Sequence, residues 1–420
     1  MTTFRETMAR RFDERDFAAP VRLEPSALAA PVVGLELAVV STRSGFDALE
    51  ADWNGLFERA GRSEQLFQAF NWNWHWANHF LKNGRSAASL AIVTGRLDGR
   101  LVMVWPLVME RAVGLRVLAW MGEPVSQYGD VLVEAGPERM AMLRAAWGFI
   151  LATLKPDLAR LNKTRIDSAI APLLAERGAI STQQLDAPYL DLASAPTFAA
   201  YEERYTVKAR KNRRRLARRL EEQGAVQFQQ FHEGREAGAI VRQAIAIKRL
   251  WLQQKGLVSP ALADGRTMAF FEAAAGDTVR PTGIRVSALM CGETLTAAEI
   301  AFAQGQRLAI HLMVYDLDYE KRAAGVLLLE RNLAVSLAAG VETYDLLAPG
   351  DGYKKEWADG TVRVDDYAVP LTIGGRAYVR GYLAYLRPKL KAAVGRIPLA
   401  TRQAVSGRIA RLVLTLGGAK

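Results

Sequence analysis

The sequence predicts a mixed α/β protein built from two similar units, followed by a basic tail. The chain has 420 residues, half of them apolar, which is enough for two or three domains with hydrophobic cores. Short apolar segments typical of strands alternate with amphipathic helical segments in both halves of the chain, in a similar order. Two mixed units of about 150 residues each are therefore the simplest interpretation.

The N-terminal segment 1–33 is predicted to be a flexible leader. It mixes Arg with Asp and Glu and lacks the apolar core of a secretory signal. No apolar run approaches the length of a membrane-spanning helix. A single cysteine, Cys291, excludes an intramolecular disulfide and fits a reducing compartment. We therefore expect a cytoplasmic protein, and with only four histidines we expect no metal site.

The first unit is assigned to residues 34–190. Trp53, Leu56 and Phe57 recur at helical spacing, and Asp98-Gly99 is a turn signal between two apolar runs. In chain order we expect a strand at 35–40, a helix at 46–60, a helix ending near 81, a hairpin formed by 88–96 and 100–108, strands at 117–121 and 131–133, a helix at 137–154, a strand at 158–166 and a short helix at 170–177.

The second unit is assigned to residues 191–370. It begins with a basic segment and continues with a helix at 236–254 and another around Phe270. Apolar runs then predict strands at 284–290, 293–303 and 306–314, followed by a turn, a Leu-rich helix and a strand at 341–344.

The turn at 320–325 combines small residues with two cations where the Leu-rich helix begins. Small residues allow the backbone N–H groups at a helix start to approach a ligand closely, with the helix dipole behind them. This arrangement suits a pyrophosphate, while the absence of a Gly-x-x-x-x-Gly-Lys-Ser/Thr motif argues against a P-loop NTPase. The residues concerned are Lys321, Arg322, Ala323, Ala324 and Gly325.

The segment from 311 to 357 resembles the acyl-CoA-binding part of the GNAT acetyltransferases. It is most similar to the CelD-like branch of cellulose and exopolysaccharide biosynthesis proteins, which is distantly related to the FemAB transferases. The matching elements are Tyr315-Asp316, the turn Arg322 to Gly325, the helical run Val326 to Leu329, Tyr344-Asp345, and Tyr353-Lys354 with Trp357. Looser matches in the first unit are Trp105-Pro106-Leu107 and Tyr128-Gly129-Asp130.

The resemblance covers about residues 35–370 and implies two GNAT-like domains in tandem. It implies an N- or O-acetyltransferase that binds acetyl-CoA at the turn 321–325 and modifies a sugar or a sugar-derived, lipid-linked intermediate of envelope or exopolysaccharide synthesis. The acceptor would attack the thioester directly. One alternative is a FemAB-type transferase that uses aminoacyl-tRNA, and another is a non-catalytic scaffold in polysaccharide synthesis.

Three residues of the second unit are candidates for the catalytic base. Glu299 lies in an otherwise apolar strand, where a carboxylate is either structural or functional. Asp345 follows a strand beside a glycine-containing loop, where it could orient the acceptor or pin the loop by pairing with Lys354. His311 opens an apolar strand, and imidazole can accept a proton near pH 7, although a histidine satisfied within the strand is the simpler interpretation.

Residues in both units are candidates for contact with the acceptor. Tyr128 and Asp130 lie in a first-unit turn that related proteins direct at the cleft between domains. In the second unit, Tyr353 and Lys354 could bind an anionic acceptor or the phosphates of CoA.

The most basic internal segment has nine Lys and Arg residues between Arg204 and Arg219. Leu216 and Leu220 mark a narrow apolar stripe, so the segment is predicted to be a helix with a cationic outer face. It would hold a phosphate-rich substrate or tRNA, with Lys208, Arg210 and Arg214 as the selected contacts, or it would be a solvated helix.

Residues 371–420 form a basic amphipathic tail. They hold ten of the 55 Lys and Arg residues and none of the 44 acidic ones, so the remaining 45 cations and 44 acids leave residues 1–370 almost neutral. Leucine, valine and isoleucine recur between the cations, which is typical of helices that lie on anionic lipid. Such a segment could contact the inner membrane face, dock back on the body or bind a partner, and we expect helix breaks at Pro388 and Pro398.

Overall fold

The computed structural model describes residues 32–81, 88–277, 283–350, 352–398 and 401. The predicted leader, apart from its last two residues, lies outside the described residues, and so does nearly all of the tail after residue 398. The predicted mixed α/β class is confirmed.

The strands of the described residues form two sheets. In chain order they are β1 Leu35–Val40, β2 Ala88–Leu90, β3 Ile92–Leu97, β4 Arg100–Trp105, β5 Leu107–Ala112, β6 Leu115–Trp120, β7 Leu132–Val133, β8 Leu158–Arg165, β9 Ile180–Asp191, β10 Val226–Phe231, β11 Gly283–Cys291, β12 Thr294–Gln304, β13 Arg307–Tyr315, β14 Thr343–Asp345 and β15 Gly360–Pro370.

Helices cover both faces of the sheets. In chain order they are α1 Arg43–Asp47, α2 Glu50–Ala60, α3 Phe70–Phe80, α4 Arg139–Leu154, α5 Ala171–Glu176, α6 Phe198–Glu202, α7 Val207–Glu221, α8 Gly234–Gln254, α9 Pro260–Ala263, α10 Gly265–Gly276, α11 Ala324–Ala338, α12 Tyr353–Trp357, α13 Ile373–Ala377 and α14 Arg387–Arg396. Short 3₁₀ helices lie at Ser63–Gln68, Leu192–Ser194 and Leu317–Arg322, and a π-helix lies at Tyr378–Leu386.

One large sheet runs through both units. Its strand order is β10-β11-β12-β13-β14-β9-β15-β8-β6-β5-β2, and a smaller sheet has the order β1-β3-β4-β7. The long strand β9 pairs with β14 on one side and β15 on the other, both antiparallel. Because β15 inserts between β9 and β8, the C-terminal strand of the second unit completes the sheet of the first. The predicted boundary at 190/191 thus falls at the end of a strand that joins the two units.

Each unit contains a parallel strand pair connected by a helix. In the first unit β6 and β8 pair over three residues, and α4 makes the crossover. In the second unit β13 and β14 also pair over three residues, and α11 makes the crossover. Beyond these short contacts the carboxyl ends of the paired strands separate. Openings of this kind at the carboxyl ends of parallel strands are common ligand sites.

Aromatic side chains of the first unit pack against the second. Trp72 is fully buried, and its ring centroid lies 4.9 Å from that of Phe270 and 4.8 Å from that of Phe302. This tryptophan therefore has a packing role, and the sheet it contacts belongs largely to the second unit. Buried aromatic contacts of this size fix the two units relative to one another.

The tail is helical from Ile373 to Arg396 without interruption. The predicted break at Pro388 is therefore wrong. A π-helix ends just before this proline, and Pro388 occupies the first turn of α14, where its missing N–H costs little. The helix does end before Pro398, as predicted. Within the described residues, no helix is both long and apolar enough to cross a bilayer.

Candidate functional site

The opening between β13 and β14 is the centre of the candidate site. Pairing with β14 stops at Ala309, and among the described strands none pairs with Ile310–Tyr315 on that side. On the other side, Ile310 pairs with Ala301 and Leu312 with Ile300, so His311 is the extra residue of a β-bulge. The bulge places His311 two residues beyond the last parallel pair, where the strands separate.

His311 joins the second unit to a loop of the first. Its Nε2 donates a hydrogen bond of 2.6 Å to the carbonyl oxygen of Val125. Burial, aided by the nearby cations of Lys163 and Lys354 and opposed by the hydrogen bond to Val125, lowers the pKa of the imidazole to about 4. The ring is therefore neutral at pH 7, but a group with so low a pKa is a weak proton acceptor. We expect His311 to position the Val125 loop rather than to act as the base.

We call five partly exposed residues from both units the inter-domain cleft: Glu123, Gln127, Lys163, His311 and Lys354. Gln127, Lys163 and Lys354 lie near His311, and Glu123 lies close enough to Lys163 for the two charges to interact. Lys163 Nζ donates to Gln127 Oε1 at 2.9 Å, and the Gln127 amide nitrogen lies 3.4 Å from His311 Nε2. Lys354 Nζ donates to the carbonyl oxygen of Leu347 at 3.1 Å. Of these five residues, only His311 and Lys354 are predicted as site residues from the sequence.

Glu123 is the carboxyl group of the cleft. Its side chain is 24% exposed, and the Asn162 amide donates to it at 3.0 Å. Burial raises the pKa of Glu123 to about 7, although Arg160 and Lys163 act in the opposite direction. A carboxyl group with this pKa can exchange a proton near neutral pH, which is the property of a general base. The Gly122–Asp130 loop contains this residue, but its sequence gave no sign of the altered pKa.

Tyr128 and Asp345, both candidates from the sequence, contact each other. The Tyr128 hydroxyl donates to both carboxylate oxygens of Asp345 at 3.0 and 3.1 Å. Arg307 donates to the same carboxylate at 2.9 Å, and Arg165 Nη1 lies 3.9 Å away. Asp345 also accepts the backbone N–H of Leu347. These contacts form a buried cluster, here called the Asp345 cluster, which ties the first-unit loop to the end of β14.

Asp130 lies in a second buried cluster. It accepts hydrogen bonds from Gln65 Nε2 at 2.7 Å and from Arg62 at 3.0 Å. It also accepts the backbone N–H groups of Val131, Ala169 and Ile170. With its oxygens engaged by five donors, Asp130 holds loops of the first unit together, and we do not propose it as an acceptor ligand.

The first-unit opening is filled by its own chain. The Gly129 N–H donates to the carbonyl oxygen of Lys163 at 3.0 Å, which places the loop between β6 and β8. Gly129 is required here because a Cβ would lie 2.2 Å from the Trp120 ring. Lys163 itself has a positive φ of 53°. The two units therefore have similar strand pairs, but the first-unit pair is occupied by protein.

Glu299 lies on the other face of the sheet from His311, beneath α11. It is 1% exposed and accepts a 2.5 Å hydrogen bond from the Tyr344 hydroxyl. Burial raises its pKa to about 7, opposed by hydrogen bonds from Tyr344 and Asn332. Its strand neighbours Ile300 and Phe302 face the aromatic cluster around His311, whereas Glu299 faces the helix. This location supports a structural role.

The turn before α11 has the small residues at the helix start that the sequence predicted. Ala323 has a left-handed backbone with φ of 54°, and no side chain caps the helix. The first amides to bond within the helix are those of Val326 and Leu327. Among the described residues the N–H groups of Ala324 and Gly325 donate to no backbone carbonyl, as is usual for the first amides of a helix, and both residues are buried. A Cβ at Gly325 would lie only 3.1 Å from Cδ1 of Tyr315.

The two cations of this turn differ in position. Lys321 is exposed. Arg322 donates to the carbonyl oxygen of Asp318 at 2.9 Å and to Gln223, just beyond α7, at 3.2 Å. Arg322 therefore connects the turn to the basic helix in addition to supplying charge.

Helix α7 is the predicted basic helix, and Arg213 docks it. Arg213 is buried, forms ion pairs with Glu202 and Glu330, and stacks over the ring of Trp357 at 5.4 Å. Lys208 and Arg214 point outward. The cations at 210, 214 and 331 line a cavity of about 270 Å³ between α7 and α11. The sequence did not distinguish the docking arginine from its neighbours.

A scan against known families matches residues 207–355 to the acetyltransferase (GNAT) domain. Among solved structures, the chain is similar to FemX, with a TM-score of 0.53, 10% identity, and coverage of 83% of this chain and all of FemX. Similarity also extends to a tandem GNAT protein from the clavulanic acid biosynthesis pathway, with a TM-score of 0.45, 15% identity, and coverage of 80% and 98%. L-PGS from Bacillus licheniformis has a TM-score of 0.46, 12% identity, and coverage of 79% and 95%.

No curated protein matches the sequence at a significant level. At these identities the likeness to FemX concerns the fold alone. The predicted arrangement of two GNAT-like domains is confirmed at that level. The chain thus has a tandem GNAT-like fold similar to that of FemX, and residues 207–355 match the model of the acetyltransferase (GNAT) domain.

Proposed function

We propose that the protein is an acyl-CoA-dependent acyltransferase with one donor site, in the second domain. The observation that carries this proposal is the opening between β13 and β14, which lies beside the His311 bulge and within the GNAT-matching residues 207–355. A thioester inserted there would lie between the inter-domain cleft and the backbone amides of Ile310–Tyr315, an edge with which no described strand pairs on that side. Such amides are suited to stabilise the oxyanion that forms during acyl transfer.

The N-terminus of α11 is the proposed site for the CoA pyrophosphate. The N–H groups of Ala324 and Gly325 and the helix dipole favour an anion. Exposed Lys321 adds a positive charge nearby. The donor we favour is acetyl-CoA.

The inter-domain cleft is the proposed acceptor site. Lys163 and Lys354 lie close enough to His311 to lower its pKa, so they create a positive potential on both sides of the cleft. This potential suits an acceptor that carries phosphate or carboxylate groups. A sugar intermediate of an envelope or exopolysaccharide pathway, as the CelD-like resemblance implies, has this chemistry.

The proposed reaction is a direct transfer. The acceptor amine or hydroxyl attacks the thioester carbonyl, the new C–N or C–O bond forms, the C–S bond breaks, and CoA leaves as the thiolate. The attacking group loses its proton to Glu123, directly or through water, and the thiolate takes up a proton from solvent. Glu123 fits this step because it is partly exposed and its pKa is about 7.

A second candidate is a transferase that uses aminoacyl-tRNA. It is supported by the FemX-like fold and by the cationic outer face of α7, which packs beside the start of α11. Binding of tRNA through this face would fall steeply with salt because counterions are released from the phosphates. In this alternative CoA is not required.

The test is a transfer assay with labelled acetyl-CoA and a panel of amino and hydroxy sugars, with and without phosphate. We expect acceptor-dependent release of CoA by the wild type and by the control Gly148→Glu, which adds a carboxylate to an open helix position. We expect no release by Gly325→Glu, whose side chain would repel the pyrophosphate. Wild-type transfer from aminoacyl-tRNA alone, lost in Lys208→Glu/Lys211→Glu, would replace the first proposal with the second. Absence of both activities would favour a scaffold.

A further inference from the structure

The C-terminal helix extends away from the body of the protein. Its beginning is anchored, because Val379 and Leu383 are buried against the first domain, in a cluster with Val117 and Leu158. From Tyr385 to Arg396 every described side chain is exposed. An isolated helix of this length is marginally stable in water, and most helices gain stability by packing an apolar face.

This extension has an uncovered apolar stripe. Leu386, Leu390 and Val394 follow one another at i, i+4 and i+8, with 45%, 42% and 38% of their surface exposed. Tyr385, one residue before Leu386, is 60% exposed and lies beside the stripe, on the side of Lys389. Scattered apolar residues on a surface need no explanation, but a helical stripe of three indicates a surface that contacts another apolar phase.

The cations of α14 flank this stripe on both sides. With about 100° per residue, the stripe from Leu386 to Val394 spans about 80° of the helix circumference. Lys389 and Arg396 lie on one side of it, and Arg387 and Lys391 lie on the other. In the part of the chain that the structure describes, none of the four has a carboxylate partner. Residues 371–420 contain no acidic residue at all.

We propose that α14 and the end of the π-helix bind the surface of an anionic lipid bilayer. The apolar stripe would enter the boundary between headgroups and acyl chains, and the flanking Lys and Arg side chains would extend to the phosphates. An aromatic residue such as Tyr385 is typical of this boundary. Charge complementarity selects a membrane over a second copy of the chain, because a second tail would bring a further set of unpaired cations. The body is almost neutral, so the tail supplies the electrostatic attraction.

This inference is independent of the proposed acyl transfer, and it has its own test. The full chain is mixed with vesicles of phosphatidylcholine alone or of phosphatidylcholine with phosphatidylglycerol, and bound protein is measured by flotation. We expect binding only to the anionic vesicles, and we expect it to weaken with salt. Lys389→Glu/Lys391→Glu should weaken binding at least about 25-fold, since each cation near such a surface contributes about five-fold.

Matched variants separate the contribution of the apolar stripe from that of the cations. Leu386→Ser/Leu390→Ser should weaken binding about ten-fold or more through loss of buried apolar surface. Ala392→Ser, on the opposite side of the helix, and Arg111→Glu/Arg235→Glu, two exposed cations of the body, should leave it unchanged. Activity without lipid should be the same in all variants, which keeps this test separate from the proposed function.

Three results would overturn the proposal. The first is absence of binding, or equal binding to neutral and anionic vesicles. The second is concentration-dependent self-association in sedimentation that the leucine substitutions abolish, which would assign the stripe to a second copy. The third is a lower melting temperature of the leucine variant with unchanged vesicle binding, which would mean that residues after 398 cover the stripe.

Discussion

Replacement of Glu299 by glutamine should raise stability at alkaline pH and leave catalysis intact. The carboxyl group is buried beneath α11, and burial raises its pKa from the usual 4.5 to about 7. Between pH 4.5 and about pH 7 the carboxyl group therefore stays protonated in the folded protein but loses its proton in the unfolded chain. The stability that Glu299 contributes is complete below pH 4.5 and is lost as the pH rises through about 7.

The magnitude follows from the size of this shift. One pKa unit corresponds to about 1.4 kcal/mol, so the wild type should lose about 2–3 kcal/mol from this group between about pH 5 and pH 8. Glutamine cannot ionise, and its carbonyl oxygen can still accept the hydrogen bond from Tyr344. The difference in unfolding free energy between Glu299→Gln and the wild type should therefore increase with pH by about that amount.

The assay is urea unfolding at several pH values, with Glu36→Gln as a control at an exposed strand position. The free energy of unfolding of the control should differ from that of the wild type by the same amount at every pH. A Glu299→Gln variant with the same pH dependence as the wild type would refute the stated effect of burial. Loss of acyl transfer in a variant that remains folded would refute the structural role and restore Glu299 as a candidate base.

Three further predictions concern the cleft, the inter-domain contact and the basic helix. Tyr128→Phe should lower the unfolding free energy by about 1–3 kcal/mol, because Asp345 loses a buried hydrogen-bond donor; no change in urea unfolding would contradict the role of this contact. Glu123→Gln should slow transfer by about 10²–10⁴-fold. It should also remove the increase in rate that the wild type shows as this carboxyl group loses its proton near pH 7. A variant that keeps both the wild-type rate and this increase would exclude Glu123 as the base. Arg213→Met should lower the free energy of unfolding by about 3 kcal/mol, because it leaves the carboxylates of Glu202 and Glu330 without their partner. Arg214→Met, at an exposed position, should lower it by less than about 0.5 kcal/mol. Equal effects of the two substitutions in thermal unfolding would contradict the assignment of Arg213 as the docking residue.

The sequence predicted much of the fold because most elements follow local periodicity. The helix predicted at 46–60 instead forms two helices, Arg43–Asp47 and Glu50–Ala60. Strands β9 and β15 were missed, and both lie in the centre of the large sheet. Their sequences mix polar and apolar residues without clear alternation. In β15 the paired acids Asp365 and Asp366 are buried, where Ser181, Arg363 and the Lys163 amide donate to them.

The candidate site was predictable only in part, since its chemistry depends on contacts distant in sequence. Tyr128 and Asp345 were both selected, but 217 positions separate them, and nothing local indicates that they bind each other. The raised pKa of Glu123 has the same cause, because it depends on burial by β8 and the first-unit loop. By contrast, the small residues at 323–325 act through the local backbone, and they are found at the helix start where the sequence predicts them.

The most direct test of the central claim is calorimetric titration of the protein with acetyl-CoA. The second-domain opening is available and the first-domain opening is filled by its own loop, so we predict one bound acetyl-CoA per chain. Binding should be lost in Gly325→Glu and retained in Gly148→Glu, with both variants folded by circular dichroism. Two binding sites per chain, or binding that survives in Gly325→Glu, would contradict the proposed donor site. Absence of binding by the wild type would contradict acyl-CoA dependence itself.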